Sequence, residues 1–403
     1  MGKTDKVWFC VGCLLIATAM CWWFFIGNIF LRLPGEISIE EEYSGTITWQ
    51  LDLTNTAPYQ PGLERTTPLV VKHLLASDDQ FYTTDAAVLR EKTVFMGKGL
   101  EPVTFFSAYS LDRLTHLNIS DANAHALVEN NPCNRAGSYY PLLPREVLNT
   151  QTYPVWRDEL GKPILATFLG EEDHDGTRIL AFSLGGEELH TLPKAYCSVW
   201  GLPETIPFDK LNTFLSLEAN INLDEALLHI TPSLATEDQI VVGRARTQAA
   251  PTMYFLLSPQ YTIRLEPESG LPIAFGPVEE TVYMRIDYSV ITGLAAVFNK
   301  YTDDPSIGEY IQNLMAKMEA LDATALVPVF SYTYSPKLDS GKAALNTVTT
   351  WNKQAMFWSR VFPAYLGLAG LLLVFLVALS WYWGLYHHQT FLLHMPRWHL
   401  PRG

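Results

Sequence analysis

The chain has 403 residues and carries 28 Lys and Arg residues against 42 Asp and Glu residues, for a formal net charge of −14. This length suffices for one large domain or two smaller ones. Because so acidic a surface repels phosphate groups, the composition excludes nucleic acid as a partner. The charge can also serve simply to keep the protein soluble.

Two long apolar runs lie near the ends of the chain. Residues 7–31 carry no charged side chain over more than the roughly 20 residues that a helix needs to cross a bilayer. Residues 361–386 repeat the pattern. The sequence therefore predicts two transmembrane helices, joined by residues 32–358 on one side of the membrane. A cleaved signal peptide is the alternative for the first run, but that run is long and no small-residue cleavage site follows it.

Basic residues predict the orientation of these spans. Lys3 and Lys6 precede the first span, and Arg397 and Arg402 follow the second. Since positive residues favour the cytoplasmic side, we expect residues 1–6 and 387–403 to be cytoplasmic tails of a two-pass plasma-membrane protein. Residues 32–358 then form an extracytoplasmic domain.

Cysteine positions suggest one disulfide. Cys10, Cys13 and Cys21 lie in the first span, so only Cys133 and Cys197 lie in the large domain. An oxidising compartment would favour a bond between these two. The alternative is two separate buried thiols.

The large domain has the pattern of a mainly β protein. Apolar and polar residues alternate in several short segments, and Asp175-Gly176 between two of them is a strong hairpin signal. Helical spacing is clear once, over 305–322, where Asp304 is the expected N-cap and the apolar stripe packs on the sheet or, alternatively, on the membrane surface. The fold class is thus antiparallel hairpins with a few packed helices, anchored by N- and C-terminal transmembrane helices. The predicted strands are 44–53, 70–75, 93–96, 164–169, 177–184, 252–257, 262–265, 278–286 and 327–335.

Sequence motifs of catalysis are absent. The chain has no Gly-x-Ser-x-Gly elbow, His-Glu-x-x-His helix, Cys-x-x-Cys pair or nucleotide loop. The acidic turn at 171–175 lacks the spacing of a calcium loop, and the histidines after residue 386 fit an ordinary tail better than a metal site. We therefore predict no catalytic residues, no cofactor and no metal, and a protein that is not an enzyme.

One block and one later turn carry a family resemblance. Residues 139–182 and the turn after residue 263 resemble the actinobacterial family labelled porin PorA-like, a domain of unknown function. The two terminal spans also match. The resemblance implies a membrane protein of a mycolate-type cell envelope, with some members linked to lipoglycan assembly and no established catalytic residues. The matching positions are Tyr140, Pro141, Tyr153, Pro154, Trp156, Gly170, Glu171, Phe182, Arg264, Glu266, Pro267, Ser269 and Gly270.

Two hypotheses for function follow. In the first, the outer domain binds or conveys a membrane lipid or lipoglycan in an apolar groove between sheet and helix. In the second, the chain is an accessory subunit or scaffold of a membrane transporter or glycosyltransferase. Its integral-membrane partner would then pack on the small residues Gly367, Ala369 and Gly370, which are equally compatible with ordinary lipid contact.

Overall fold

The computed structural model describes residues 3–33, 37–51, 64–78, 80, 83–98, 101–120, 135–140, 142–174, 176–186, 188–248, 250–321 and 325–393. The chain divides into two compact units. One unit comprises Met1–Pro34 and Thr347–Gly403, and the other comprises Gly35–Asn346.

The helices and strands have the following bounds. The helices are α1 Lys3–Cys21, α2 Gly27–Phe30, α3 Lys194–Val199, α4 Phe208–Glu218, α5 Leu223–Ile230, α6 Thr236–Gln248, α7 Ser289–Phe298, α8 Gly308–Glu319, α9 Leu338–Met356 and α10 Phe362–Leu393. The strands are β1 Ser38–Trp49, β2 Arg65–Ser77, β3 Ala86–Gly97, β4 Val103–Asp112, β5 Tyr153–Arg157, β6 Lys162–His174, β7 Thr177–Gly185, β8 His190–Thr191, β9 Met253–Leu265, β10 Pro272–Ile286 and β11 Val327–Pro336.

One antiparallel sheet organises the unit Gly35–Asn346. Its strand order is β4-β3-β2-β1-β11-β10-β9-β7-β6-β5, with β8 paired to β9, and it curves into a half-barrel. Alternate residues of each strand face a shared core, as in β9, where buried and more exposed positions alternate along the strand. Trp200, at the end of α3, contributes to this core, with its ring 4.8 Å from Phe330 and 5.3 Å from Phe95 between centroids. The predicted antiparallel β class is therefore confirmed.

The predicted hairpin and the predicted amphipathic helix are both present in the structure, although the helix begins later than predicted. The predicted hairpin is formed by β6 and β7, and His174 pairs with Thr177 at its tip. The predicted amphipathic helix is α8, which buries Ile311, Leu314 and Met318. It begins at Gly308 because Asp304 instead closes a turn by accepting a hydrogen bond from the Ser306 N–H at 2.8 Å.

Several elements differ from the sequence prediction. The first strand begins at Ser38 and ends at Trp49, so the predicted range 44–53 is wrong at both ends, and residues 52–53 lie outside the described residues. Strands β4, β5 and β8 and helices α3 to α7 and α9 are absent from the sequence prediction. Helix α7 (SVITGLAAVF) is almost entirely apolar, so its two faces differ little in polarity and its helical period is hard to recognise.

Two helices are long and apolar enough to cross a membrane, Thr4–Phe30 and Ala344–Trp383, and most of their residues belong to the other unit. Each contains one π-helical turn, Trp22–Ile26 in the first and Phe357–Val361 in the second. The indole N–H of Trp22 donates to the Trp358 carbonyl oxygen at 2.8 Å. The helical segments extend beyond the predicted spans, because α1 begins at Lys3 and α10 ends at Leu393.

Small residues bring these two helices together. Gly12 and Gly370 are both buried, and a Cβ atom at Gly370 would lie 2.7 Å from the Gly12 carbonyl oxygen. Gly367 faces Ala19, whereas Ala369 is exposed. The predicted packing face is therefore used within the chain by Gly367 and Gly370.

Candidate ligand-binding site

The concave side of the half-barrel contains a partly open cavity of about 90 Å³, lined by both polar and apolar groups. Seven tyrosines and three phenylalanines supply most of its wall, and six ionisable side chains are set among them. The wall comprises Tyr43, Val71, His73, Glu91, Thr93, Phe95, Phe105, Ser107, Tyr109, Tyr140, Arg157, Asp158, Glu159, Tyr196, Tyr261, Phe275, Glu280, Tyr332 and Tyr334.

Glu91, on β3, is the centre of the first group of contacts. Its Oε1 lies 2.6 Å from Nε2 of His73 on β2 and accepts from the Tyr140 hydroxyl at 3.0 Å. Its Oε2 accepts from the Tyr109 hydroxyl at 2.7 Å. Burial alone would raise the pKa of Glu91, but the hydrogen bonds and the charge of His73 outweigh burial and hold that pKa below its ordinary value.

The pKa of His73 is shifted in the direction opposite to that of Glu91. Burial would lower its pKa, but the contact with Glu91 raises the pKa of His73 above its ordinary value. Glu41 lies 3.9 Å from Nδ1 of His73 and accepts from the Tyr43 hydroxyl. Burial raises the pKa of Glu41. This group therefore combines a charged His–Glu pair with a carboxyl that is more readily protonated.

Asp158 joins the two ends of the sheet. Ser107 of β4, the terminal strand on one side, donates to it, and so does the Trp156 indole of β5, the terminal strand on the other side, at 2.6 Å. Nη2 of Arg135 lies 2.6 Å from Oδ1 of Asp158, and the Tyr109 hydroxyl lies 3.0 Å from Oδ2. Burial raises the pKa of Asp158, although Arg135 opposes this. Side chains thus hold the half-barrel together where its end strands form no ladder with each other.

Arg157 and Glu280 form the third group. Nη2 of Arg157 lies 2.6 Å from Oε1 of Glu280, and Arg157 also pairs with Glu159. The Arg157 guanidinium lies over the Tyr261 ring at 4.7 Å from its centroid. Tyr332 donates to Glu280. The charge of Glu280 raises the pKa of Arg157 despite burial, so this guanidinium stays charged.

Buried acidic side chains outnumber buried basic ones in this region. Among the described residues, four buried carboxyl groups are grouped with three buried basic groups. The carboxyls are Glu41, Glu91, Asp158 and Glu280, and the basic residues are His73, Arg135 and Arg157. Burying so many charges is costly unless they are paired, and such clusters are a common mark of functional sites.

A family model described as Porin PorA matches residues 6–379 of the chain. The chain belongs to the Porin PorA family. No curated protein sequence matches the chain closely enough to be named as a relative. Membership in this porin family, together with the two apolar helices, indicates a membrane protein of the cell envelope and points to a non-enzymatic role.

Two of the residues that carry the resemblance noted in the sequence belong to the cavity region. Tyr140 lines the cavity and donates to Glu91, and Trp156 donates to Asp158. Tyr153 instead fixes the preceding loop, because its hydroxyl accepts from the Leu148 N–H at 2.8 Å. The Pro154 carbonyl accepts from the Tyr139 N–H at 2.8 Å. Pro141 lies outside the described residues.

The remaining motif residues shape turns and strand contacts away from the cavity wall. Gly170 lies at a bulge between β6 and β7, Glu171 pairs with exposed Arg178, and Arg264 pairs with Glu172 at 2.9 Å. Glu266 accepts from the Ser269 N–H at 2.8 Å and so closes the turn that contains Pro267 and Gly270.

Cys197 is a buried free thiol on α3, and burial raises its pKa to about 11. Its predicted partner, Cys133, lies outside the described residues. The disulfide therefore remains a prediction without support from the structure.

None of the charged residues of the cavity wall is predicted as a site residue from the sequence. A signal was present, because several of them interrupt the apolar face of a strand at the two-residue period. In β2 the buried face reads Val71, His73, Leu75, and in β10 it reads Val278, Glu280, Val282. A charged residue at such a position must be buried with partners, which makes it a site candidate.

Proposed function

We propose that this protein binds or conveys a lipid or lipoglycan of the envelope by holding the polar head of that molecule in the cavity. The two helices would anchor the half-barrel unit to the plasma membrane, with both termini cytoplasmic and residues 32–358 outside. The observation that carries the proposal is the partly open cavity, whose wall combines aromatic rings with partnered charged groups. Ligand sites commonly have this combination of apolar surface and a few placed polar groups.

The head rather than the acyl chain is the part that fits. An acyl chain gains binding energy from apolar surface, whereas six ionisable side chains line this cavity. The volume of about 90 Å³ is also small, since one water molecule needs about 10–15 Å³ of it. The sequence led us to expect an apolar groove for the lipid. We propose instead that the cavity holds the polar head group.

The accessory-subunit hypothesis gains less from the structure. Its partner surface was the stripe of small residues on the second span. Gly370 is buried against Gly12 and Ile16, and Gly367 faces Ala19, so both already contact the first helix. The proposal of a binding protein therefore takes precedence.

Lipid extraction from the purified full-length protein, followed by mass spectrometry, tests this function. Thr93→Met is the matched variant, because Thr93 lines the cavity without belonging to any of its charged pairs. We expect one lipid or lipoglycan class at near-stoichiometric amount with the wild type and much less with Thr93→Met. Equal amounts of bound lipid on the wild type and on Thr93→Met, or no bound lipid on the wild type, would contradict the proposal.

A further inference from the structure

Two cationic side chains of the cavity wall have a nitrogen that lacks a hydrogen-bond partner. These nitrogens, Nη1 of Arg157 and Nδ1 of His73, find no hydrogen-bond partner among the described residues, and the Glu41 carboxylate lies 3.9 Å from Nδ1, beyond hydrogen-bond distance. Arg157 is 5% exposed and His73 is 6% exposed, and both line the cavity. Because a buried polar group without a partner costs free energy, a ligand that supplies acceptor atoms here would be favoured.

The carboxylates of the wall, in contrast, are already engaged. Glu91 receives hydrogen bonds from His73, Tyr109 and Tyr140, and Glu280 receives them from Arg157 and Tyr332. The raised pKa of His73 favours the imidazolium, in which both ring nitrogens carry hydrogen. The unmet need of the wall is therefore for acceptor atoms rather than for donors.

The charge of a ligand decides which class of acceptor-bearing molecule fits the cavity best. Four carboxyl groups line the cavity, Glu91, Asp158, Glu159 and Glu280, against two basic side chains, His73 and Arg157, so an anionic phosphate or carboxylate would meet mainly acidic groups. An ammonium group would bring only donors, which do not satisfy Arg157 or His73. A neutral molecule rich in hydroxyl and ether oxygens meets both conditions.

The aromatic rings of the wall and the volume of the cavity restrict the class of neutral ligand further. The rings of Tyr109 and Tyr140 lie 5.2 Å apart between centroids, and Phe275 lies 6.5 Å from Tyr140. Such walls suit the apolar C–H face of a sugar ring. The volume of about 90 Å³ holds several waters, and because the cavity is partly open a larger ring can enter it with one edge left outside.

We propose that the cavity is a subsite for a single neutral sugar ring, with Arg157 and His73 as the residues that donate to its oxygens. This inference rests on the proposed function, because it identifies the chemistry of the head group. It favours a glycan head over the phosphate or amine head of a phospholipid.

Titration calorimetry of the full-length protein in detergent tests the inference. The probes are D-mannose, D-galactose and myo-inositol as neutral polyols, with inorganic phosphate and ethanolamine as charged competitors. Arg157→Lys keeps the positive charge but removes the guanidinium fork, and we expect it to weaken polyol binding about tenfold or more. Thr93→Met, which leaves every charged contact in place, should also weaken it. Arg178→Lys, at an exposed pair with Glu171, is the control and should bind as the wild type does.

Each outcome decides between the two proposals. Binding of at least one polyol, lost in Thr93→Met and Arg157→Lys but kept in Arg178→Lys, supports the sugar subsite. Preference for phosphate or ethanolamine, or polyol binding that Thr93→Met leaves unchanged, overturns it. If a phospholipid co-purifies but no polyol binds, the sugar subsite fails while the proposed function stands. If polyols bind but no lipid-linked molecule co-purifies, the proposed function fails while the subsite stands.

Discussion

His73 and Glu91 lie on neighbouring strands, and their side chains meet in the cavity wall with Nε2 and Oε1 separated by 2.6 Å. Both residues are buried, so the pair stands in surroundings where charges are poorly solvated. The contact raises the pKa of His73 and lowers that of Glu91. Each partner therefore stabilises the charged form of the other.

This pair predicts how stability depends on pH. The contribution of His73 is complete below its ordinary pKa of 6.5 and is lost as the pH rises through its raised pKa. The contribution of Glu91 is complete above its ordinary pKa of 4.5 and is lost as the pH falls through its lowered pKa. We expect thermal unfolding of the full-length protein to show highest stability between these two values. A stability that rises steadily from pH 6 to pH 9 would contradict the charged pair.

Removing the charge of Glu91 should be strongly destabilising. In Glu91→Gln the buried imidazolium of His73 loses its counter-ion, which costs about 3–5 kcal/mol for a buried pair. Urea denaturation of the purified protein measures this cost. Glu171→Gln breaks an exposed pair with Arg178 and should change stability little. Equal effects of the two variants would show that Glu91 is not held in a buried ion pair.

The turn around Gly270 gives a separate test of the fold. Gly270 has a φ of +72°, and a Cβ atom there would lie 2.2 Å from the carbonyl oxygens of both Leu143 and Pro144. Gly176 has a similar φ of +78° but no heavy atom within 4 Å of such a Cβ. Gly176→Ala should therefore cost only the backbone strain, about 1–2 kcal/mol. Gly270→Ala should lower the free energy of unfolding by clearly more, because the added Cβ would also clash with the Leu143 and Pro144 carbonyl oxygens. If the two variants showed similar decreases in melting temperature, the close contact between the Leu143–Pro144 loop and this turn would be contradicted.

Disulfide cross-linking tests the pairing of the two apolar helices. A Cβ atom at Gly367 would lie 3.5 Å from the Cβ of Ala19, which suits a disulfide. With Cys10, Cys13 and Cys21 changed to Ala, the double variant Ala19→Cys, Gly367→Cys should cross-link rapidly on mild oxidation. Adding Gly370→Ala should reduce the yield, because its Cβ would press on the Gly12 carbonyl oxygen. The pair Ala19→Cys, Ala369→Cys serves as control, since Ala369 is exposed, and equal yields from both pairs would contradict the packing.

The sequence predicts those parts of the structure that depend on residues close together in the chain. The Asp-Gly turn fixes the β6–β7 hairpin through backbone angles, and the apolar stripe of α8 follows from residues within four turns of each other. The spans likewise follow from composition. Tyr140 and Trp156 were found through the family motif, although the pattern alone gave no reason to place them beside a cavity.

The cavity itself depends on contacts between residues far apart in the chain. Asp158 follows β5 and meets Ser107 of β4, at the opposite end of the strand order. Arg157 meets Glu280 because β5 and β10 curve around the same core. No local period encodes these meetings, so the sequence could indicate only that a buried charge such as His73 needs a partner.

Photo-cross-linking in cells tests the central claim most directly. Benzoylphenylalanine is placed at Tyr334, in the cavity wall, or at Tyr254, which is exposed on β9. After irradiation, mass spectrometry of each purified protein identifies any covalent adduct. The account predicts a glycan-bearing lipid bound at Tyr334 and no such adduct at Tyr254. Absence of any adduct at Tyr334, or the same adduct at both positions, would contradict a cavity that receives the head of an envelope lipid or lipoglycan.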